Sequence, residues 1–321
     1  MATAAFGITW QVLVVAFVLD LLLGDPRWLP HPIIWMGNAI SFFEPWFRRR
    51  IRRPLISGFV FAVILIVLVG VLSTVAVTVS YQMHAWVGRI VQIILLFYCF
   101  SVRSLMDAAM DVARPLMIGD LSKARTMVGY IVGRETHTLD ARGVTRAAVE
   151  TVAENFVDGF LSPLCVALIF GVPGALTYKM INTLDSMVGY RNETYLFFGR
   201  AAARIDDAAN FIPARISVIV ICVAASILSS GRGKRAFMTA MTQGRRHKSP
   251  NAGYPEAAFS GALGVRMGGP NMYHGKLVEK PFIGTMFKDP APDKIVRSCE
   301  LMMMCALVAI LAASFMLGVV Q

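Results

Sequence analysis

From Leu55 to Val79 the chain runs for 25 residues without a charged side chain. Crossing the hydrocarbon core of a bilayer takes about 20 residues of helix, so this run is long enough to do it. Five other stretches approach that length: 6–23, 85–102, 160–178, 211–229 and 300–320. Backbone polar groups in hydrocarbon must be satisfied within their own segment, which makes the spans helical. The fold class that follows is all-α: a polytopic helical membrane protein with about 4–6 membrane segments and sizeable helical cytoplasmic loops. It reads as a single integral membrane domain over residues 1–321, with polar loops at 24–54, 103–159, 179–210 and 231–298. Only 16% of residues are charged, against about 25% in soluble chains, which excludes disorder and coiled coil.

Two of the spans carry further information. The 160–178 segment contains Pro163, Gly171, Pro173 and Gly174, so it reads as kinked, broken or re-entrant. The first span lacks a basic leader and ends in Gly24-Asp25-Pro26 rather than a small-x-small cleavage site, so it is expected to stay attached. Cys99, Cys165, Cys222, Cys299 and Cys305 form no CxxC pair and read as inert buried thiols.

The net charge of +11 is concentrated beside the spans, which fits a membrane surface and not a nucleic acid. The 24–54 loop holds Arg27, Arg48, Arg49, Arg50, Arg52 and Arg53 against Asp25 and Glu44, and the 231–298 loop holds twelve Lys or Arg against four acids. Both are therefore placed in the cytoplasm and the N-terminus outside. Simple alternation puts 179–210 outside, unless the flanking segments enter and leave on one side.

Polar residues that abut the spans are the candidate chemistry. A helix over 138–159, starting near Thr138 or Asp140, would carry Glu150, Glu154 and Asp158 at i, i+4 and i+8. Like charges at that spacing destabilise a helix by about 0.2–0.5 kcal/mol per pair, a penalty that a bound cation or a partner arginine removes. A solvated face with Arg146 nearby is the alternative. Tyr178, Asn182 and Asp185 fall on one face of the next helix, and a carboxylate at that depth usually lines a cavity or a site. Arg191, Asn192, Arg200, Arg204, Asp206, Asp207 and Asn210 follow, just before another span. The segment Ser249–Gly275 has six glycines and three prolines and can aim backbone N–H groups at an anion. It is not a Walker A loop, because Gly269 and Gly275 are separated by five residues and Leu277 replaces the Ser or Thr. His31, between two prolines, reads as structural, and no two histidines have zinc-ligand spacing.

These runs carry a resemblance. Gly24-Asp25-Pro26 with Pro30-His31-Pro32, Thr151 to Gly159, Asn182 to Asn192, Arg204 to Arg215, Ser249 to Glu256 and Gly268 to Asn271 together resemble the adenosylcobinamide-phosphate synthases. These are CbiB/CobD-type membrane enzymes of cobalamin biosynthesis. The resemblance extends from about residue 18 to 320. Lys179 and Cys165 stand where the family would have Arg and an aromatic residue, and a lysine there cannot make a bidentate contact.

The resemblance implies a carbon–nitrogen ligase in the inner (cell) membrane. It would join aminopropanol or its O-phosphate to adenosylcobyric acid, a corrinoid, with consumption of ATP. A carboxylate is a poor electrophile and must be activated, most simply as an acyl phosphate, which brings in Mg²⁺. On that basis Glu154, Asp158, Asp185 and Asp206 are expected as metal ligands, and Asp185, Arg191, Arg204 and Asp207 as catalytic residues. Arg215 is a further phosphate candidate. Asn251, Tyr254, Glu256, Arg266 and Asn271 of the glycine-rich segment, with Lys179 and Asn182, are expected to cradle nucleotide or corrinoid. Glu150 is expected to matter less than Glu154 and Asp158. The bilayer and other membrane-bound cobalamin-assembly enzymes are the expected partners. Two rivals predict other signs: a transporter predicts inverted repeats, which the sequence lacks, and a membrane alcohol phosphotransferase predicts a D-x2-D-G-x2-A-R run, also lacking.

Overall fold

The structure is a computed structural model that describes residues 7–26, 28–190, 192–273 and 275–320. It is mostly helical, with thirteen α-helices and four very short strands among the described residues. The chain divides into two compact units whose segments alternate along the sequence. Unit 1 takes Met1–Ser101, Asp158–Asn210 and Ile310–Gln321, and unit 2 takes Val102–Val157 and Phe211–Ala309.

Unit 1 holds α1 (Trp10–Leu23), α2 (Pro32–Arg50), α3 (Pro54–Met83), α4 (Ala85–Phe97), α8 (Ser162–Val188) and α9 (Arg200–Ala209). α8 packs against α2, α3, α4 and α9. The 160–178 stretch is broken inside this helix: Gly171 has φ 68° and ψ −170°, a conformation open to glycine and strained for any other residue. Just before α8, Val157–Leu161 form a π-helical turn. The wider turn re-aims the side chains there, and such turns concentrate at functional sites.

Unit 2 holds α5 (Val102–Met117), α6 (Leu121–Gly129), α7 (Ala141–Phe156), α10 (Phe211–Leu228), α11 (Arg232–Gln243) and α12 (Gly253–Leu263). Two antiparallel strand pairs belong to it: β1 (Met267–Gly268) with β4 (Phe282–Ile283), and β2 (Asn271–Tyr273) with β3 (Lys276–Val278). α13 (Asp293–Val320) runs from unit 2 into unit 1. Asp140 starts α7, its carboxylate accepting from Gly143 N–H at 2.7 Å.

Five stretches of helix are long and apolar enough to cross a membrane: Pro54–Met83, Ala85–Met117, Ala141–Val188, Phe211–Leu228 and Asp293–Val319. The chain is thus an all-α, multi-pass membrane protein. The regions between the apolar runs are themselves mostly helical. The 24–54 region, for example, contains the 19-residue α2. All five cysteines are unpaired.

His31 shows how the proline-rich turn is fixed. Its Nδ1 accepts from Ile33 N–H at 3.2 Å and so caps α2. The proton is then on Nε2, which donates to Asp25 Oδ1 at 3.2 Å. The ring also packs edge-on to Tyr98 at 4.8 Å. His31→Ala is expected to cost about 1 kcal/mol of stability, the usual worth of an N-cap. His31→Asn, which can still cap, should cost less, and thermal unfolding of the two variants checks the order.

Candidate functional site

Each unit contains a polar cluster. In unit 1 the cluster is built where α8, α9 and the π-turn carry their polar residues inward. Asn210, buried, is its hub: its Oδ1 accepts from Ser162 Oγ at 2.6 Å and from Tyr178 Oη at 2.9 Å. Its amide then donates to Asp206 Oδ2 at 3.0 Å. Asn182, one turn beyond Tyr178, donates to Asp158 Oδ2 at 3.4 Å. Asp206 Oδ1 is buried and has no hydrogen-bond partner among the described residues. Burial pushes the Asp206 carboxyl up to about 6, against the Asn210 and Asn182 amides and with help from the Asp207 charge.

The next residue on α8 after Tyr178, Lys179, is buried with Asp158, Asp25 and Asp20 as its charged neighbours. Sequence reasoning did not single out Asp20. The available signal was a lone carboxylate inside an otherwise apolar span, which is costly and so seldom idle. The structure also brings Asp25 of the Gly24-Asp25-Pro26 turn within electrostatic reach of this lysine, a link no spacing rule reveals.

The opposite side of α9 lines a cavity of about 420 Å³ with Tyr190, Tyr195, Phe197, Arg200, Arg204 and Asp207 on its walls. Arg200 and Arg204 lie one helical turn apart and are exposed. Among the described residues neither forms an ion pair. Asp185 is half-buried at the end of α8, with its Oδ1 2.0 Å from where a Cβ on Gly189 would stand. Only glycine lets the chain turn that closely past the carboxylate. Arg191 lies outside the described residues.

In unit 2, Glu150 on α7 is buried and holds two partners at once. Its Oε2 accepts from Arg134, and its Oε1 accepts from Gly268 N–H at 2.6 Å. Gly268 has φ 75°, and a Cβ there would meet Pro281 O at 2.4 Å, so the glycine is required. Arg134 also donates to Asn271 Oδ1 at 2.7 Å. Glu256 is buried nearby with His247 Nε2 3.8 Å away. Burial, then the Glu150 and Glu154 charges, push its carboxyl well above the usual range.

Several side chains expected to contact ligands are committed to the protein instead. Arg215 donates to Asn251 Oδ1 at 2.8 Å and to Pro250 O at 3.2 Å, and its guanidinium stacks between Phe211 and Tyr254. Tyr254 Oη accepts from Arg245 at 3.3 Å. Arg266 grips Asp289 with two hydrogen bonds of 3.0 and 2.9 Å, which hold that carboxyl below the usual range. The acidic stripe is likewise divided. Glu150 is buried, Glu154 is exposed, and Asp158 belongs to unit 1 while the other two belong to unit 2. Among the described residues, no group of three or more His, Cys, Asp or Glu could hold a metal ion. The four expected metal ligands therefore form no ready-made cage.

Comparison with known proteins then places the chain. The model of the family described as CobD/Cbib protein matches residues 13–302. The chain is 46% identical over 281 residues to the "Cobalamin biosynthesis protein CobD" of Geobacter metallireducens, covering 86% of this chain and 87% of that one. It is 42% identical to the protein of the same name from Klebsiella pneumoniae, over 92% of this chain and 93% of that one. To "Cobalamin biosynthesis protein CbiB" of Salmonella typhimurium it is 40% identical over the same shares. No solved structure matches it. With nearly its whole length matched by both the family model and these relatives, the chain belongs to the CobD/CbiB family.

Proposed function

We propose that this protein acts in cobalamin biosynthesis as an ATP-dependent ligase of the cell membrane. It would form an amide between a carboxylate of adenosylcobyric acid and aminopropanol or its O-phosphate. The observation that carries this reading is the unit 1 cavity. Its volume suits a small molecule and is far below that of a corrinoid. Two arginines on one wall, neither in an ion pair among the described residues, favour an anionic group, and Asp207 on the same helix favours an ammonium. A small amine phosphate has both.

Mg²⁺ with a phosphate ligand needs only one or two carboxylates, the rest of its shell being water and phosphate oxygen. The orphaned Asp206 Oδ1 and Asp158, steadied by Asn182, fit that demand and would hold the ion. Bound there, the ion would supply charge neutralisation to a phosphoryl group of ATP, apart from the amine's own phosphate in the cavity. Arg204 and Arg200 would orient the amine substrate through its phosphate. Asp207 would hold its ammonium end and take a proton as the amine becomes the nucleophile. Lys179 would balance the charges of Asp158 and Asp20. In unit 2, Glu150, Arg134, Asn271, Asn251, Tyr254 and Arg266 would shape the glycine-rich segment, leaving Glu256 to face a ligand there.

The direct test is incubation of the purified protein with ATP, Mg²⁺, adenosylcobyric acid and aminopropanol phosphate, followed by mass spectrometry for the amide. Failure to form it with every amine tried would overturn the reading. Arg204→Gln is expected to raise the KM for the phosphorylated amine at least tenfold, since charge-assisted hydrogen bonds are worth about 1.5–3 kcal/mol. The KM for free aminopropanol should hardly move.

A further inference from the structure

Five of the six residues from 48 to 53 are arginines, and the fold uses one of them. Arg48 donates to Glu44 Oε1 at 2.7 Å and to Thr194 O at 3.2 Å, and its guanidinium lies 4.0 Å over Phe198. The side chains of Arg49, Arg50, Arg52 and Arg53 are exposed, and none makes an ion pair or a hydrogen bond among the described residues. Four like charges in five positions repel one another unless something anionic lies against them.

The neighbourhood indicates what that is. On α2, Met36, Ile40 and Phe47 face the protein. Trp35, Phe42 and Trp46 stand exposed at 61%, 75% and 56%, and with Arg49 they follow at i, i+7, i+11 and i+14, one stripe of the helix. Aromatic rings ending in arginines match the headgroup layer, where amphipathic rings settle and basic side chains meet phosphate. α3 starts immediately afterwards at Pro54, with Leu55, Ile56 and Phe59 exposed as lipid-facing residues would be. The four arginines therefore stand where the chain passes from an amphipathic helix into a span.

We propose that Arg49, Arg50, Arg52 and Arg53, with Trp46, form a binding site for the headgroups of anionic phospholipids. A zwitterionic headgroup offers no net charge to relieve the repulsion. An anionic one does, at a gain of roughly fivefold in affinity per basic residue close to the surface.

The test uses the full-length protein in neutral detergent with equal amounts of phosphatidylglycerol and phosphatidylcholine, and counts retained lipids by native mass spectrometry. Wild type is expected to retain phosphatidylglycerol at least fivefold over phosphatidylcholine. The quadruple Arg→Gln variant should lose that preference, and the quadruple Arg→Lys variant should keep most of it. The single variants Arg49→Gln and Arg52→Gln should each weaken it severalfold, which serves if the quadruple variant inserts poorly. Soluble glycerol phosphate is the competitor: failure to displace the lipid supports a headgroup site, and full displacement overturns it in favour of an ordinary anion site. Equal retention of the two lipids by wild type, or an unchanged preference in the Gln variants, also overturns it.

Discussion

Glu150→Ala is expected to destabilise the protein more than alanine at Glu154 or Asp158, by about 3–5 kcal/mol, the usual cost of stranding one partner of a buried ion pair. The side chains of Glu150 and Arg134 are 9% and 8% exposed, so after the substitution the guanidinium would stay buried without its anion. Gly268 N–H would lose its acceptor as well, adding the desolvation cost of an unsatisfied donor. A fall in the thermal midpoint on the order of 10 °C would follow. Glu150→Gln keeps an acceptor for Gly268 and should lie in between. A stability within about 0.5 kcal/mol of wild type for the alanine variant would mean that the buried network adds nothing to the fold. Since Arg134, Gly268 and Asn271 all depend on this carboxylate, loss of activity in Glu150→Ala should track loss of folded protein.

That expectation concerns stability, whereas the order read from the sequence concerned metal binding, and the geometry that separates the three acids is instructive. Spacing shows that Glu150, Glu154 and Asp158 share a helical face only while the helix stays regular. The π-turn at Val157–Leu161 alters the register at Asp158, and nothing in a residue pattern announces a π-turn. Arg134 and Gly268 lie 16 and 118 residues from Glu150, so pairing them with it requires the tertiary fold. Five of the six expected spans, by contrast, were legible because about twenty apolar residues in a row leave one solution in a bilayer, whereas the 6–23 run yields α1, a helix of 14 residues. The break in the 160–178 stretch was legible through Gly171 and Pro173. Asn182, Asp206 and Asn210 were legible as polar residues beside spans, but the role of Asn210 as the hub of their cluster was not, since its partners Ser162 and Tyr178 lie 48 and 32 residues away in the chain.

Asp206→Asn is expected to abolish amide formation, with a loss of at least a hundredfold, while making the protein more stable at neutral pH. The sign follows from burial. The Asp206 carboxyl titrates at about 6 in the folded protein against 3.8 for an ordinary aspartate, so the folded state holds its proton more tightly than the unfolded chain does. Stability from this group is full below about pH 4 and is lost as pH rises through about 6. Above that the ionised carboxylate costs about 3 kcal/mol, since each tenfold change in proton affinity is worth about 1.36 kcal/mol. Asparagine removes the charge, keeps the shape and can still hydrogen-bond to Asn210. The variant's advantage in thermal midpoint should therefore be close to nil near pH 4, grow between about 4 and 6 and level off above. A protein that keeps a buried carboxylate with one oxygen unsatisfied among the described residues at that cost gains something else from it, as active sites do when they trade stability for chemistry. If Asp206→Asn is instead less stable at neutral pH, the carboxylate serves the fold. If it is more stable and still fully active, Asp206 holds no ion in the reaction, and Asp158 with Asp185 would have to carry that role.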